Sequence, residues 1–337
     1  MAEPTPYDVI IIGAGPAGFA AALYATRDRY RTLVLEKSGL PGGQILLTDR
    51  VENYPGYEVV SGPDLITHMQ KQVERFGGEL AVSSEVTGLV RRKDGLLEVD
   101  VNAGEKKLAA RAVILAPGSD YRTLGVPGEE QMRQATKVSY CATCDGAFYR
   151  DKHVLAVGGG NTAVEDSIYL AERFTKKLTL VHRRDEFRAQ QVLVDELREK
   201  AGKHNIDIKT PFVLEEIVPT GQGDEIDHVV LRHATTGLCE ELKVDGVFVF
   251  VGMSPNTSWL DGIVELTKEG YINCDCRTLQ TSMPGVFVAG DCRYGAAMQL
   301  ATACADGVIA AMMIKRYFRA PVSWSRESAE HLGGSGW

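Results

Sequence analysis

Along this chain, unbroken apolar runs alternate with stretches in which apolar residues recur every three or four positions. The first run, Tyr7 to Ile12, is rich in β-branched residues, shows no alternation and stops at glycine. That pattern predicts a strand buried on both faces of a parallel sheet, with a helix directly after it. Thr32 to Leu35 reads as a second strand, residues 62–76 as a helix, and 85–90 and 96–101 as strands with one exposed face. Residues 111–115 form another buried strand. The cycle then restarts with strands at 153–157 and 178–181. From 208 to 250 the alternation and the turn signals at 221–224 and 235–237 predict an antiparallel flap, and a strand running into Gly290-Asp291 precedes a long helix over 296–318.

Repeated strand, glycine turn and helix place the chain in the α/β class, with two Rossmann-like nucleotide-binding domains. The second interrupts the first: residues 1–118 and 251–337 flank an insert, 119–250. The glycine- and proline-containing stretch 119–127 and the return near Val251-Gly252 read as a two-strand hinge. Between the second strand and residue 61, the segments Pro41-Gly42-Gly43-Gln44 and Val51-Glu52-Asn53-Tyr54-Pro55-Gly56 predict loop without regular structure.

Each glycine turn has a chemical reading. In Gly13-Ala14-Gly15-Pro16-Ala17-Gly18 the first glycine allows the turn, the second lets a pyrophosphate approach the backbone, and the third lets helix pack on strand. Glu36, at the end of the second strand, stands where an acid accepts hydrogen bonds from a ribose, with Lys37 beside it. In the insert, Gly158, Gly160 and Ala163 fill the same positions around Asn161 and Thr162, and the alanine should loosen the packing slightly. There the second strand ends in His182-Arg183-Arg184, with Arg188 following. Guanidinium groups pair with a 2′-phosphate that an acid would repel, which favours NADPH over NADH; the alternative is a solvated basic patch.

Cys141-Ala142-Thr143-Cys144-Asp145-Gly146 lies between the two turns. A Cys-x-x-Cys pair closes a small disulfide or opens to a dithiol with one acidified thiol, and Asp145 is placed to move the proton. Half of a zinc site is the competing reading, but matched ligands are missing, so no metal is expected. The seven cysteines, an odd number in a long chain, fit a reducing compartment with one functional pair; Cys239, Cys274, Cys276, Cys292 and Cys304 read as free buried thiols, the 274/276 pair on one face of a strand. With 24% charged and 44% hydrophobic residues and a net charge of −8, the chain reads as globular, without a basic surface for nucleic acid. The apolar run at 9–12 is too short for a signal or membrane segment, so a cytoplasmic protein is expected.

On the C-A-T-C-D-G string and its place between two glycine fingerprints, the chain resembles the low-molecular-weight, bacterial-type thioredoxin reductases from about Tyr7 to about Phe318. The resemblance implies FAD in the first domain, held by the first fingerprint with Gly43, Gln44, Asn53, Ala116, Gly118, Gly290, Asp291, Met298 and Gln299. Asp291 would bond the ribityl chain. It also implies NADPH on the insert, a homodimer, and thioredoxin or a thioredoxin-like protein as partner, with Cys144 nearer the flavin and Cys141 attacking the partner disulfide. Two departures stand out: Met298 where the family usually has a basic residue, and Ala305 where it has glycine. The first leaves the helix dipole as the main remaining term stabilising the reduced flavin.

The expected function is therefore electron transfer from NADPH through FAD to Cys141 and Cys144, then to thioredoxin. A relative using another donor or partner, and a flavin-binding redox sensor, are the alternatives. No histidine pairs with a carboxylate at an interpretable spacing, so none is assigned to catalysis. One segment carrying both the disulfide and the NADPH fingerprint predicts that the insert rotates. Trp337, on a glycine-rich tether, is either part of a disordered tail or stacks on an exposed cofactor face.

Overall fold

The computed structural model describes residues 5–48 and 50–320; the expectations for Trp337 and its tether lie outside the described residues. The chain divides into two compact units, one made of Met1–Asp120 with Ser254–Trp337 and the other of Tyr121–Met253.

The first unit begins with β1 (Tyr7–Ile12), α1 (Pro16–Arg27), β2 (Thr32–Leu35), α2 (Gly62–Arg75), β3 (Glu79–Ala81), β4 (Val86–Arg91), β5 (Leu97–Val101) and β6 (Lys106–Leu115). Its sheet runs β3-β2-β1-β6-β5-β4. Parallel neighbours on both sides explain the unbroken apolar β1: Val9 and Ile11 enter the core on one face, Ile10 and Ile12 the core on the other. β6 is longer than the buried run at 111–115 suggests, because its first half pairs antiparallel with β5, Leu97 opposite Ala110. The stretch after β2 also holds more structure than expected. Gly42 and Gly43 adopt positive φ (138° and 62°) and open a 3-10 turn over Gly43–Leu47, and Val51 bridges to Val60.

The second unit holds α3 (Glu129–Gln134), β8 (Val138–Ser139), α4 (Ala142–Asp145), β9 (His153–Gly158), α5 (Asn161–Arg173), β10 (Lys177–Val181), α6 (Gln191–Ala201), β11 (Ile206–Lys209), β12 (Phe212–Pro219), β13 (Ile226–His233), β14 (Cys239–Leu242) and β15 (Gly246–Phe250), entered through β7 (Ser119–Tyr121). Its parallel sheet runs β11-β10-β9-β15-β8, beside an antiparallel β12-β13-β14. The flap is thus shorter than expected. Ile208 belongs to the edge of the parallel sheet, and Gly-Val-Phe-Val-Phe of β15, buried along its whole length, fills the sheet's interior.

The chain leaves through β16 (Met253–Pro255), which pairs with β7, then forms β17 (Val286–Val288) beside β6 and α7 (Leu300–Arg319). The final helix starts four residues later than its apolar pattern suggests. Met298 sits at φ 52°, a left-handed conformation no α-helix contains, and Gln299 caps the helix reciprocally with Thr302. Cys274 and Cys276 lie at the entry to a turn and on it, not on a strand, because the Asp275 carboxylate accepts from the backbone of Arg277 and Thr278. Nor are all the remaining thiols buried: Cys239 and Cys276 are exposed, Cys274 and Cys304 half-buried, and only Cys292 is enclosed.

α1 and α7 pack at backbone contact. A Cβ on Gly307 would stand 2.1 Å from the Ala17 carbonyl oxygen and 2.9 Å from the Ala21 nitrogen. Gly307→Ala should therefore destabilise the protein by about 1–3 kcal/mol, the usual cost of overpacking, in equilibrium denaturant unfolding; an unchanged midpoint would contradict this packing.

Candidate functional site

In the first unit, register brings the strand ends side by side: Ile12 lies opposite both Leu35 and Leu115, and Val288 opposite Leu115. The residues that follow, Gly13, Glu36, Ala116 and Ala289, accordingly share one edge. Gly13 turns at φ 106°, and a Cβ there would lie 2.1 Å from the Ala116 oxygen. A Cβ on Gly18 would lie 1.9 Å from the Gly13 oxygen, so the fingerprint packs against itself. Gly15 differs: the nearest atom to its Cβ position is the Gly42 oxygen at 3.9 Å, leaving an open cradle above the start of α1. Pro16 opens that helix, no side chain caps it, and no acid occupies its first turn. Its free N–H groups and dipole suit a pyrophosphate.

Other parts of the chain converge here. The Cβ position of Gly43 is 3.7 Å from the Gly15 Cα, Gln44 lies half-buried in the same turn, and Asn53 donates to the Gln299 oxygen at 3.4 Å. Gly290, at φ 82°, comes within 3.0 Å of the Ala17 methyl by the same construction. Gly118 is held by the Asn256 N–H at 3.0 Å. The Glu36 carboxylate accepts from the Ala14 N–H at 2.9 Å and from the Ser38 N–H and hydroxyl at 2.9 and 2.8 Å. Lys37 is not drawn in; its ammonium pairs with Glu85 at 2.9 Å on the surface. Asp291 is half-buried, and burial, then the Asp306 charge, lift its carboxyl to about 6 against the pull of Arg293.

Sequence reasoning missed three residues here. Asp306 and Arg293 form a nearly buried ion pair, for which the signal was an aspartate in an otherwise apolar helical stretch. Tyr54 hydrogen-bonds Cys304 and is pushed up to about 12, chiefly by burial, while the Cys304 thiol, 3.8 Å from the Pro16 oxygen, is raised to about 11 by burial.

The second fingerprint ends β9. A Cβ on Gly158 would meet the Phe250 oxygen at 2.5 Å and the Ala163 methyl at 2.6 Å, so the first glycine makes room for the alanine at the third position. Gly160 has nothing within 4 Å of its Cβ position and precedes α5, which no side chain caps. Asn161 accepts from the Gln190 N–H at 2.9 Å, and Thr162 is exposed. The Gly159 oxygen accepts from the Arg188 and Ala189 N–H groups at 2.7 and 3.1 Å, folding the arginine segment back onto the fingerprint. His182 is buried beneath it: its ring stacks on Phe187 at 5.3 Å, fills the space a Cβ on Gly159 would need, and burial lowers its pKa. Arg183, Arg184 and Arg188 are exposed and form no ion pair among the described residues. Three exposed guanidinium groups are therefore carried by the segment that folds back onto the fingerprint.

Cys141 and Cys144 form a disulfide with a Cα separation of 5.3 Å. Cys141 is half-buried and Cys144 exposed. The Cys141 sulfur accepts from the Cys144 N–H at 3.2 Å and lies 3.4 Å from the Thr143 hydroxyl. Ser139, absent from the sequence reading, links the turn to its acid: it accepts from the Cys141 N–H at 3.1 Å and donates to Asp145 at 2.6 Å. Burial raises the Asp145 pKa, and the Ser139 hydroxyl opposes that rise. A Cβ on Gly146 would strike Leu170 and Phe174 at 2.8 and 2.9 Å, so the redox turn is seated directly on α5 and the residue after it. On reduction, a thiolate at Cys141 would keep the N–H and hydroxyl already aimed at it.

Comparison with known proteins agrees with this chemistry. The pyridine nucleotide-disulphide oxidoreductase family matches residues 7–307. The thioredoxin reductase of Bacillus subtilis (strain 168) is 41% identical over 317 residues, 94% of this chain and 96% of that protein. The thioredoxin reductase of Listeria innocua is 42% identical over 319 residues, 94% and 95% of the two chains. Among solved structures, thioredoxin reductase from Streptococcus pyogenes MGAS5005 superposes with a TM-score of 0.85 at 41% identity, covering 93% of this chain and 98% of that one. With a disulfide turn seated on a nucleotide fingerprint and near-complete coverage of these relatives, the chain belongs to the pyridine nucleotide-disulphide oxidoreductases and, within them, to the thioredoxin reductases.

Proposed function

We propose that this protein carries two electrons from NADPH through FAD to the Cys141–Cys144 disulfide and on to the disulfide of thioredoxin or a thioredoxin-like protein. The observation that carries the reading is the seating of the disulfide turn on the helix of one nucleotide fingerprint while a second, complete fingerprint forms in the other unit. Both cradles fit their groups. Gly15 leaves open space at an uncapped helix start for the FAD pyrophosphate, and Gly160 leaves the same beside three free arginines for a 2′-phosphorylated nucleotide. When bound, FAD supplies the conversion of a hydride into the electron pair a disulfide accepts.

The first unit would hold FAD through Gly13, Gly15, Pro16, Ala17, Gly18, Glu36, Gly43, Gln44, Asn53, Ala116, Gly118, Gly290, Asp291, Met298 and Gln299. The second would hold NADPH through Gly158, Gly160, Asn161, Thr162, Ala163, Arg183, Arg184 and Arg188, with His182 as the packed floor beneath them. Once the pair is reduced, the Cys141 thiolate attacks one sulfur of the partner disulfide; a mixed disulfide forms and the other partner sulfur leaves as a thiolate. Asp145, coupled through Ser139, supplies the proton that leaving sulfur takes. The Cys144 thiolate then attacks the Cys141 sulfur, closing the intramolecular disulfide and releasing the second partner sulfur. Because disulfide and NADPH cradle share a unit, we propose that they take turns at the flavin by rotation about the strand pair β7 and β16. A homodimer in the cytoplasm completes the proposal; no described helix is long and apolar enough to cross a membrane.

Cys141→Ser and Cys144→Ser should each reduce thioredoxin turnover to background while FAD stays bound and reducible by NADPH; turnover surviving in either variant contradicts the assignment. Replacing Arg183 and Arg188 together by alanine should raise KM for NADPH by about 100-fold or more, since charge-assisted hydrogen bonds are worth roughly 1.5–3 kcal/mol each, and leave KM for NADH almost unchanged. Equal losses for the two nucleotides would refute phosphate recognition. Ser139→Ala removes the hydrogen bond that holds the Asp145 pKa down, so the Asp145-dependent limb of the pH–rate profile should move to higher pH. A stationary or acid-shifted limb would disconnect Asp145 from turnover.

A further inference from the structure

We propose that Asp306 is a positioning residue for Asp291, clamping the chain on both sides of that carboxylate. Asp306 belongs to α7 and is only 6% exposed. One of its oxygens accepts from the Gly290 N–H at 3.1 Å and from Arg293 Nε at 2.7 Å; the other accepts from Arg293 Nη2 at 3.1 Å. The residues it grips therefore bracket Asp291, one immediately before it and one two positions after. The same guanidinium donates to the Tyr294 carbonyl at 3.3 Å, closing the turn from its far end. Gly290 has no slack on its other side, with the Ala17 methyl 3.0 Å from its Cβ position.

An acid inside an apolar helix is costly unless its lone pairs and charge are met, and here both are met by the turn that carries Asp291. Arg293 has a second effect. It offsets the charge of Asp306, which would otherwise oppose ionisation of Asp291 more strongly. Asp306 grips the Gly290 backbone rather than Asp291 itself, and so fixes the direction in which Asp291 leaves the end of β17. The inference rests on the proposed role of Asp291 toward FAD.

A double-mutant cycle on the flavin-loaded protein tests it, with the FAD dissociation constant read from released flavin fluorescence and the flavin absorption spectrum recorded alongside. Asp291→Asn and Asp306→Ala should each weaken FAD about 10–100-fold, and the double variant should be no more than about twofold weaker than the worse single, because the clamp acts only through the residue already removed. Multiplying losses, or an Asp306→Ala variant that holds FAD like the parent, would overturn the clamp. Unchanged FAD binding in Asp291→Asn alone would overturn the role of Asp291, and the clamp with it. Should Asp306→Ala fail to fold, Arg293→Gln enters the same cycle with the same expectations.

Discussion

The Ala116 carbonyl oxygen occupies the space a side chain on residue 13 would need, and that approach between two neighbouring strand ends governs the first unit. Glycine at 13 lets β1 and β6 stay paired to their last residues, Ile12 and Leu115, and still turn the chain sharply upward. Gly18 then settles on the Gly13 oxygen, which fixes where α1 starts and leaves its first N–H groups pointing into the space over Gly15. From there the constraint spreads outward. Gly290 and Gly307 both pack against Ala17, so the direction of α1 also sets where α7 and the Gly-Asp turn come to rest.

The insert solves the same problem with different parts. Its third fingerprint position is alanine, and the methyl is accommodated because the first position opposite it has no side chain. Its arginine segment is not tethered by its charged groups. Two backbone hydrogen bonds to Gly159 and one to Asn161 place it, and a buried histidine supports it from below. Leaving the guanidinium groups unpaired keeps their charge available to a ligand and avoids the cost of separating them from an acid on arrival.

Much of this could be read from the chain before folding. Strands buried on both faces, such as β1 and β9, announce themselves by unbroken apolar runs, and glycine spacing locates the two cradles. What escaped depends on partners far away in sequence. Val247 to Val251 is itself an unbroken apolar run, but reading 208–250 as one alternating stretch passed over it, and period alone does not name a neighbour. The late start of α7 depends on one residue, Met298, adopting a left-handed conformation that its type does not suggest. Ser139 gave no signal for a related reason, and Asp306 only that of an acid in an apolar helical stretch: each matters through a hydrogen bond whose other end is set by a turn. Exposure of Cys239 and Cys276 was misjudged because cysteine is usually buried, a statistical tendency that says nothing about one edge strand or one loop.

A protein that passes electrons between sulfurs also carries five cysteines outside its disulfide. Burial raises the thiol pKa to about 11 at Cys274 and Cys304 and about 12 at Cys292, and Cys239 is shifted the same way. At neutral pH a thiol with a pKa near 11 is ionised in only about one molecule in ten thousand, and the thiol form does not attack disulfides. The spare cysteines so placed are electrically insulated from the circuit. At Cys274, Cys292 and Cys304 burial therefore disfavours a mixed disulfide with the wrong cysteine, whereas the pair at 141 and 144 holds a sulfur with donors already aimed at it.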